Sequence, residues 1–376
     1  MKTMSIAVAA LFTLLALGIP TLAQAEGSKK VIITMKAKST ADAHQKVLQA
    51  LGGTASYKIS SNGNSANEFV ALVAEVPASV ADKLGKGASA AAKRDVMNLI
   101  PNAAASDILD VEEDFTTKWI EAMPSFQGTA FPSVEAAFRT LPKLNLSSQS
   151  GMAMAALRPE IPWGVERVRA PAAWDYTQGA KVRVAVVDTG IYTEHSDLKG
   201  KVDGGYDAFT KSELKANYQD KNGHGTHVAG TIAGIKDGKG VAGVAPKARL
   251  YAVRVLDEDG SGSISGIVDG IIWCANNHIQ VANMSLGSDS PSPALQRALR
   301  YAKAMGVVVV AAAGNSGGSV GYPAAYPETI AVSASDSSDQ IASFSSRGAE
   351  VDFIAPGVSI VSSAMDGGFA NFNGTS

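Results

Sequence analysis

A single cysteine, Cys274, stands in 376 residues, so no disulfide can form within the chain. Stability has to come from core size or bound ions instead. Cys274 sits in the apolar helical pattern Ile271-Ile272-Trp273-Cys274-Ala275 and reads as a small buried hydrophobe, not a catalytic thiol. Aromatic residues are sparse at 6%, and the formal net charge is only −2. That balance gives no broad basic field of the kind that binds nucleic acid. Long apolar runs are missing too: the one near the N-terminus, residues 6–17, is too short to cross a bilayer. What the chain has instead is an apolar fraction of 46%, enough for a real core, and 37 glycines, which imply many tight turns.

The length suggests two domains. Lys2, the apolar stretch 6–17 and the small-x-small run Ala23-Gln24-Ala25 read as a secretory signal peptide, residues 1–25, cut after Ala25. No twin arginine is present, so general secretion to the extracellular space is expected. Residues 26–117 have their own rhythm. Strands are expected at 31–35, 55–59, 69–76 and 108–113. Helices are expected at 40–51, with Thr40 as N-cap and Gly52-Gly53 as stop, and over 79–99, weakened by Gly85 and Gly87. The order β-α-β-β-α-β is that of a small α+β, ferredoxin-like domain. Residues 118–157 break that rhythm with Pro124, Pro132, Pro142 and a polar stretch at 147–151. They read as a linker with one short helix at 134–140, open to proteolytic trimming. From 158 to 376 the texture changes again. Apolar β-branched runs at 182–187, 250–255, 279–284, 307–312 and 329–332 are separated by helical patterns at 223–233, 263–276 and 293–305. Continuous apolar strands alternating with helices predict a three-layer α/β domain with a parallel sheet covered on both faces. Its active groups belong at the carboxyl ends of the strands.

Three segments carry chemistry. Val184-Ala185-Val186-Val187-Asp188-Thr189-Gly190-Ile191 is an apolar strand ending in an acid and a glycine turn. An Asp there can orient an imidazole, although alone it is by default a turn residue. Asp188-Thr189-Gly190 also resembles the aspartic-protease signature, but those enzymes need two carboxylates sharing a proton. No second Asp-Thr-Gly or Asp-Ser-Gly occurs. Gly223-His224-Gly225-Thr226-His227-Val228-Ala229-Gly230 sets a histidine between glycines at a helix start, where His224 can serve as general base and then acid. A metal-binding pair with His227 competes with that reading, but no His-Glu-x-x-His spacing is present, and His227 reads as structural. His44, His195 and His278 read as surface or packing residues. Asn373-Gly374-Thr375-Ser376 on its own is any loop; with the other two segments it completes the order Asp, His, Ser.

Together these segments resemble the three catalytic signatures of the subtilisin-like serine proteases, in which the triad runs in that order. The likeness covers residues 161–376 and extends to Gly240-Val241-Ala242-Gly243-Val244-Ala245-Pro246, Asn283-Met284-Ser285-Leu286-Gly287, Ala311-Ala312-Ala313-Gly314-Asn315, and Ala342-Ser343-Phe344-Ser345-Ser346-Arg347-Gly348 with Ala355-Pro356-Gly357. It implies Asp188, His224 and Ser376 as the triad and Asn315 as a side-chain donor to the oxyanion. It implies that Gly260-Ser261-Gly262 and Ser285-Leu286-Gly287 flank an extended peptide, bound as an added strand. Gly314 and Gly321 would line the pocket for the residue before the cut bond, with room for a large apolar side chain. A structural Ca²⁺ is implied between Asp197 and the loop 235–241. Asp237 would ligate by its side chain, and Ile235, Lys239 and Val241 by their carbonyls. Asp237 stands where the family has Asn. The N-terminal domain resembles the family's propeptide, a chaperone and inhibitor, here followed by a longer connection; the maturation cut is expected at 119–123 or 147–158. The implied partners are protein or peptide substrates and the chain's own propeptide, with no organic cofactor, nucleic acid or membrane, in a monomer.

In that family a buried helix follows the serine. Because Ser376 is the last residue, the chain as written is expected to be inactive or nearly so, although the gene product it samples is expected to be a secreted serine endopeptidase made as a self-inhibited precursor. Two other classes stay open: an inhibitor or chaperone resting on the N-terminal domain, and a pseudoenzyme that binds peptides without cutting them.

Overall fold

The computed structural model describes residues 27–62, 67–86, 88–120 and 160–376. The signal peptide and most of the linker with its helix at 134–140 fall outside the described residues.

The first unit is a four-stranded sheet of β1 (Ser28–Lys36), β2 (Thr54–Ser60), β3 (Phe69–Pro77) and β4 (Ile108–Glu113), in the order β2-β3-β1-β4. All its pairs are antiparallel. Helices Ala41–Ala50 and Ala90–Asn98 are capped by Thr40 and Ser89, whose side chains accept from the amides of Ala43 and Ala92. The helix expected over 79–99 is interrupted: it forms as Ala78–Ala81 and Ala90–Asn98. Gly85 lies in the break, where a Cβ would stand 2.4 Å from the Glu113 carboxylate. Residues 31–35 of β1 are buried on both faces. Val31, Ile33 and Met35 pack with Val47, Leu72 and Val96 beneath the unit's own helices. Ile32, with Ile59, Phe69, Ala71 and Val73, joins the core of the second unit instead. The period of two thus divides one sheet between two cores.

The second unit is a seven-stranded parallel sheet. Its strands are β6 (Arg183–Asp188), β7 (Val202–Asp207), β8 (Arg249–Arg254), β10 (Val281–Met284), β11 (Val308–Ala312), β12 (Ile330–Ser335) and β13 (Val351–Pro356), in the order β13-β12-β11-β10-β6-β8-β7. The alternation along β6 makes the layers. Val184 and Val186 pack with Val228, Ala229 and Ala233 of the helix His224–Ala233. Ala185 and Val187 pack with Ile267, Ile271 and Leu295 of the helices Ile264–Asn276 and Pro293–Ala304. The three-layer α/β architecture expected from the sequence is therefore present.

Two short antiparallel pairs complete the chain: β5 (Thr116–Lys118) with β9 (Ser261–Ser263), and β14 (Ile360–Ser363) with β15 (Phe369–Phe372). Among the described residues no helix is long and apolar enough to cross a membrane.

Candidate active site

Asp188 is the last residue of β6, fully buried at the carboxyl end of the sheet. The helix His224–Ala233 begins just after Gly223, whose φ of 108° no ordinary side chain tolerates. This brings the His224 ring to Asp188: Nδ1 lies 2.8 Å from each carboxylate oxygen. One of those oxygens also accepts from the Thr189 amide at 2.7 Å. Burial alone would lower the His224 pKa, but the charge and hydrogen bond of Asp188 outweigh it and hold the imidazole above its ordinary value. Nε2 of His224 is buried and has no hydrogen-bond partner among the described residues.

A second buried carboxylate, Asp220, builds the helix start and was not singled out in the sequence. It accepts from the amides of Asn222, Gly223 and Thr226 and from the hydroxyls of Thr189 and Thr226. Thr189 in turn accepts from the amide of Gly225. The available signal was an acid four residues before a helix-opening histidine, in the range where carboxylates satisfy free helix amides.

Ser376 lines a cleft with Ser285, Leu286, Gly287, Gly314, Asn315 and Gly321, so these predicted residues come together in one place. Asn315 Oδ1 accepts from both the amide and the hydroxyl of Thr375 at 2.9 Å, which orients its Nδ2 away from Thr375. The Thr375 hydroxyl also accepts from the Gly314 amide. Behind Ser376 lies a mostly apolar cavity of about 190 Å³, reached by Val165, Val310, Val332, Pro356 and Ile360.

The cleft is occupied by the chain itself. β5 pairs with β9 so that Thr117 faces Gly262 and Lys118 faces Ser261. The Trp119 amide donates to the Gly260 carbonyl at 3.0 Å, and the Gly287 amide donates to the Trp119 carbonyl at 3.0 Å. The two predicted edges thus hold one extended segment between them. Its Trp119 ring is buried, with Nε1 donating to the Gly262 carbonyl. Just upstream, two acids of the first unit cap the two helices beneath it. Glu112 accepts from the Ala294 amide and the Ser292 hydroxyl, and Asp114 from the Ser265 amide and hydroxyl. Burial pushes Glu112 up to about 7 and raises Asp114 as well.

The two noncatalytic histidines of this region are buried. His227 Nε2 donates to the carbonyls of Ile360 and Ala370, and its ring stacks on Phe372 with centroids 4.3 Å apart. Burial lowers its pKa to about 4. His195 Nε2 donates to the Gly368 carbonyl at 2.7 Å. Both therefore hold the hairpin β14–β15 that leads to Ser376.

The residues expected at a metal lie around one loop. The buried carboxylate of Asp197 accepts from the Val241 amide at 2.7 Å, and a Cβ on Gly240 would clash with it. Asp237 accepts from the Lys239 amide, and Glu160, which the sequence reading did not single out, accepts from the Gly238 amide. Burial raises the Asp197 pKa, with a smaller push from the Asp237 charge, against the Val241 amide, His195 and Ser196, which lower it. The donor set is all oxygen, the kind a hard cation takes. The described residues contain no cluster of three or more His, Cys, Asp or Glu side chains poised around one point.

Comparison with known proteins shows the family. The subtilase family model matches residues 179–376. An alkaline protease of Shouchella clausii is 44% identical over 291 residues, covering 75% of this chain and 74% of that protein. Subtilisin Savinase of Lederbergia lenta is 52% identical over 218 residues, 57% of this chain and 79% of its own length. Subtilisin E of Bacillus subtilis is 52% identical over 223 residues, 57% of each. With a histidine on a buried aspartate, a serine at the cleft and these relatives, the chain belongs to the subtilase family and is a subtilisin-like serine protease.

Proposed function

We propose that this chain is a secreted serine endopeptidase made as a self-inhibited precursor. The observation that carries the reading is the close contact of both Asp188 oxygens with Nδ1 of His224. It leaves Nε2 as the proton-accepting nitrogen. Ser376 Oγ attacks the scissile carbonyl while Nε2 takes its proton. Asp188 holds the ring and stabilises its charged form. The tetrahedral oxyanion forms against Asn315 Nδ2 and the Ser376 amide. His224 then protonates the leaving amine, and water repeats the sequence on the acyl-enzyme. Substrates bind as an extended strand between Gly260–Gly262 and Ser285–Gly287, with Gly314 and Gly321 lining the pocket for the residue before the cut bond.

Residues 26–117 are read as the propeptide. Support comes from the caps that Glu112 and Asp114 place on two catalytic-domain helices and from the segment that follows them into the cleft. The maturation cut is proposed within 119–123, because Trp119 and Ile120 share the cleft with Ser376. Secretion rests on the pattern of residues 1–25. The protein is proposed to act as a monomer. A Ca²⁺ is proposed at Asp197, Asp237 and the carbonyls of Ile235, Lys239 and Val241, where it would neutralise the buried Asp197 and the exposed Asp237 and tie two loops together.

A second reading, a peptide binder without turnover, is favoured by the missing partner on His224 Nε2. One experiment separates the two. The chain from residue 26 is treated with a fluorophosphonate probe and, separately, with a peptide amide. Labelling at Ser376 with hydrolysis, both lost in His224→Ala, supports the endopeptidase. Peptide binding with neither labelling nor hydrolysis supports the binder.

A further inference from the structure

The cleft beside Ser376 has two walls. One is Ser285–Asp289; the other is Gly314, Asn315 and Ser316, with Ser319, Gly321 and Ser346 beyond. Ser288 exchanges backbone hydrogen bonds with Tyr322, which pins the first wall next to Gly321. Most lining residues are Gly, Ala or hydroxyl-bearing; Trp119, Ile120, Leu286 and Asn315 are the other uncharged ones. Asp289 is the one side chain among them that carries a charge at neutral pH. It is exposed and has no ion pair or hydrogen bond among the described residues. We propose that Asp289 is a specificity-determining residue and that the endopeptidase favours a lysine or arginine immediately before the cut bond. This rests on the reading of the cleft as the substrate pocket.

The chemistry is that of a long side chain with a cationic tip. Its methylenes can lie along Leu286, Ala312 and Gly314. Its charged end then meets the Asp289 carboxylate and the hydroxyls around it, with no competing lysine or arginine in the lining. An apolar side chain of the same length gains the first contact and not the second. Discrimination is read as a ratio of kcat/KM values, because binding strength common to both substrates cancels. A carboxylate at an exposed rim acts through high dielectric, so the preference is modest and falls with salt.

Peptide amides differing only in lysine or norleucine before the cut bond test this directly, since the two differ by the ammonium alone. The lysine-to-norleucine ratio is expected to exceed one at low salt, to drop about fivefold in Asp289→Asn, and to invert in Asp289→Lys. A ratio that Asp289→Asn leaves unchanged overturns the proposal while the protease reading stands. A second measurement needs no turnover: the cation p-aminobenzamidine, followed by its fluorescence. Binding weakened by Asp289→Asn and by salt supports the pocket assignment. Binding that is absent, or indifferent to both, overturns it. Hydrolysis of neither peptide counts against the endopeptidase reading, and the probe then decides the pocket separately.

Discussion

The carboxylate of Glu112 accepts a 2.7 Å hydrogen bond from the amide of Ala294, so an acid of the first unit caps a helix of the second. Burial raises Glu112 to about 7, more than the Ala294 and Ser292 hydrogen bonds lower it; Asp110 adds to the rise and Lys93 opposes it. A group whose docked pKa is raised favours docking most where it is protonated, below about 4.5, and loses that contribution as pH rises through 7. Docking of the N-terminal unit should therefore loosen between about pH 4.5 and about pH 7 and level off above that. Glu112→Gln keeps the acceptor and removes the titration. Amide exchange at Ala294, corrected for intrinsic rates, should show less pH dependence in the variant; identical profiles would refute the coupling.

Replacing Asp188 with Asn keeps the volume but offers an N–H where Nδ1 needs an acceptor. The ring then adopts the wrong tautomer. kcat on a peptide amide should fall by about 10⁴, with KM little changed. Asn315→Ala should cost about 100- to 1,000-fold in kcat, the magnitude already known for the equivalent donor in subtilisin. A loss below tenfold in either variant would remove that residue from the proposed mechanism.

His227 makes a prediction about acid. Its folded pKa is about 4 and its ordinary value 6.5. A depressed group contributes stability that is present above 6.5 and is lost as pH falls through 4. The full effect is about 3 kcal/mol, an order of magnitude from the size of the shift. Gln at this position keeps a donor for Ile360 and Ala370 but does not charge. Urea unfolding at pH 7 and pH 4 should show a smaller acid loss in His227→Gln than in the parent.

Gly225 has no room for a methyl. A Cβ there would stand 2.1 Å from the Gly190 carbonyl and 3.2 Å from Asp188. Gly225→Ala must push the helix off β6, taking the His224 ring with it. A stability loss of about 1–3 kcal/mol by denaturant, with a drop in fluorophosphonate labelling of Ser376, is expected. An unchanged labelling rate would show that the helix start can yield without moving the ring.

Asp197 and Asp237 predict a calcium-dependent melting temperature. Added Ca²⁺ should raise it, with chelator reversing the change, because a ligand held only by the folded state stabilises it by mass action. Asp197→Asn should flatten that response.

The strands legible in the sequence were those lying in apolar, β-branched runs: β6, β8, β10, β11 and much of β12, with no competing pattern. β7 was not, because its Val202-Asp203-Gly204-Gly205-Tyr206-Asp207 reads as a turn. Gly205 is there for lack of space, with a Cβ 2.2 Å from the Ala252 carbonyl. β13 was hidden for the opposite reason. It is an edge, with Phe353 63% and Ile354 51% exposed, so it lacks the buried pattern that marks a strand. Of the site, the three signature segments were readable because each pairs a reactive residue with glycines. Glu112 and Asp114 were not, since an acid that caps a helix of another unit declares itself only once the two are packed together; Asp220 left only the weak local signal of an acid four residues before the helix start.

The pairing of β5 with β9 has a consequence for competition. The segment through Ile120 is joined directly to a docked domain, so it meets the cleft at an effective concentration on the order of millimolar. A free protein at micromolar level must bind roughly a thousandfold more tightly than the tethered occupant to displace it. On the proposed precursor reading, access would be governed by the covalent continuity of the chain near the cleft: one severed peptide bond would turn a one-molecule equilibrium into a two-molecule one, which dilution alone can shift.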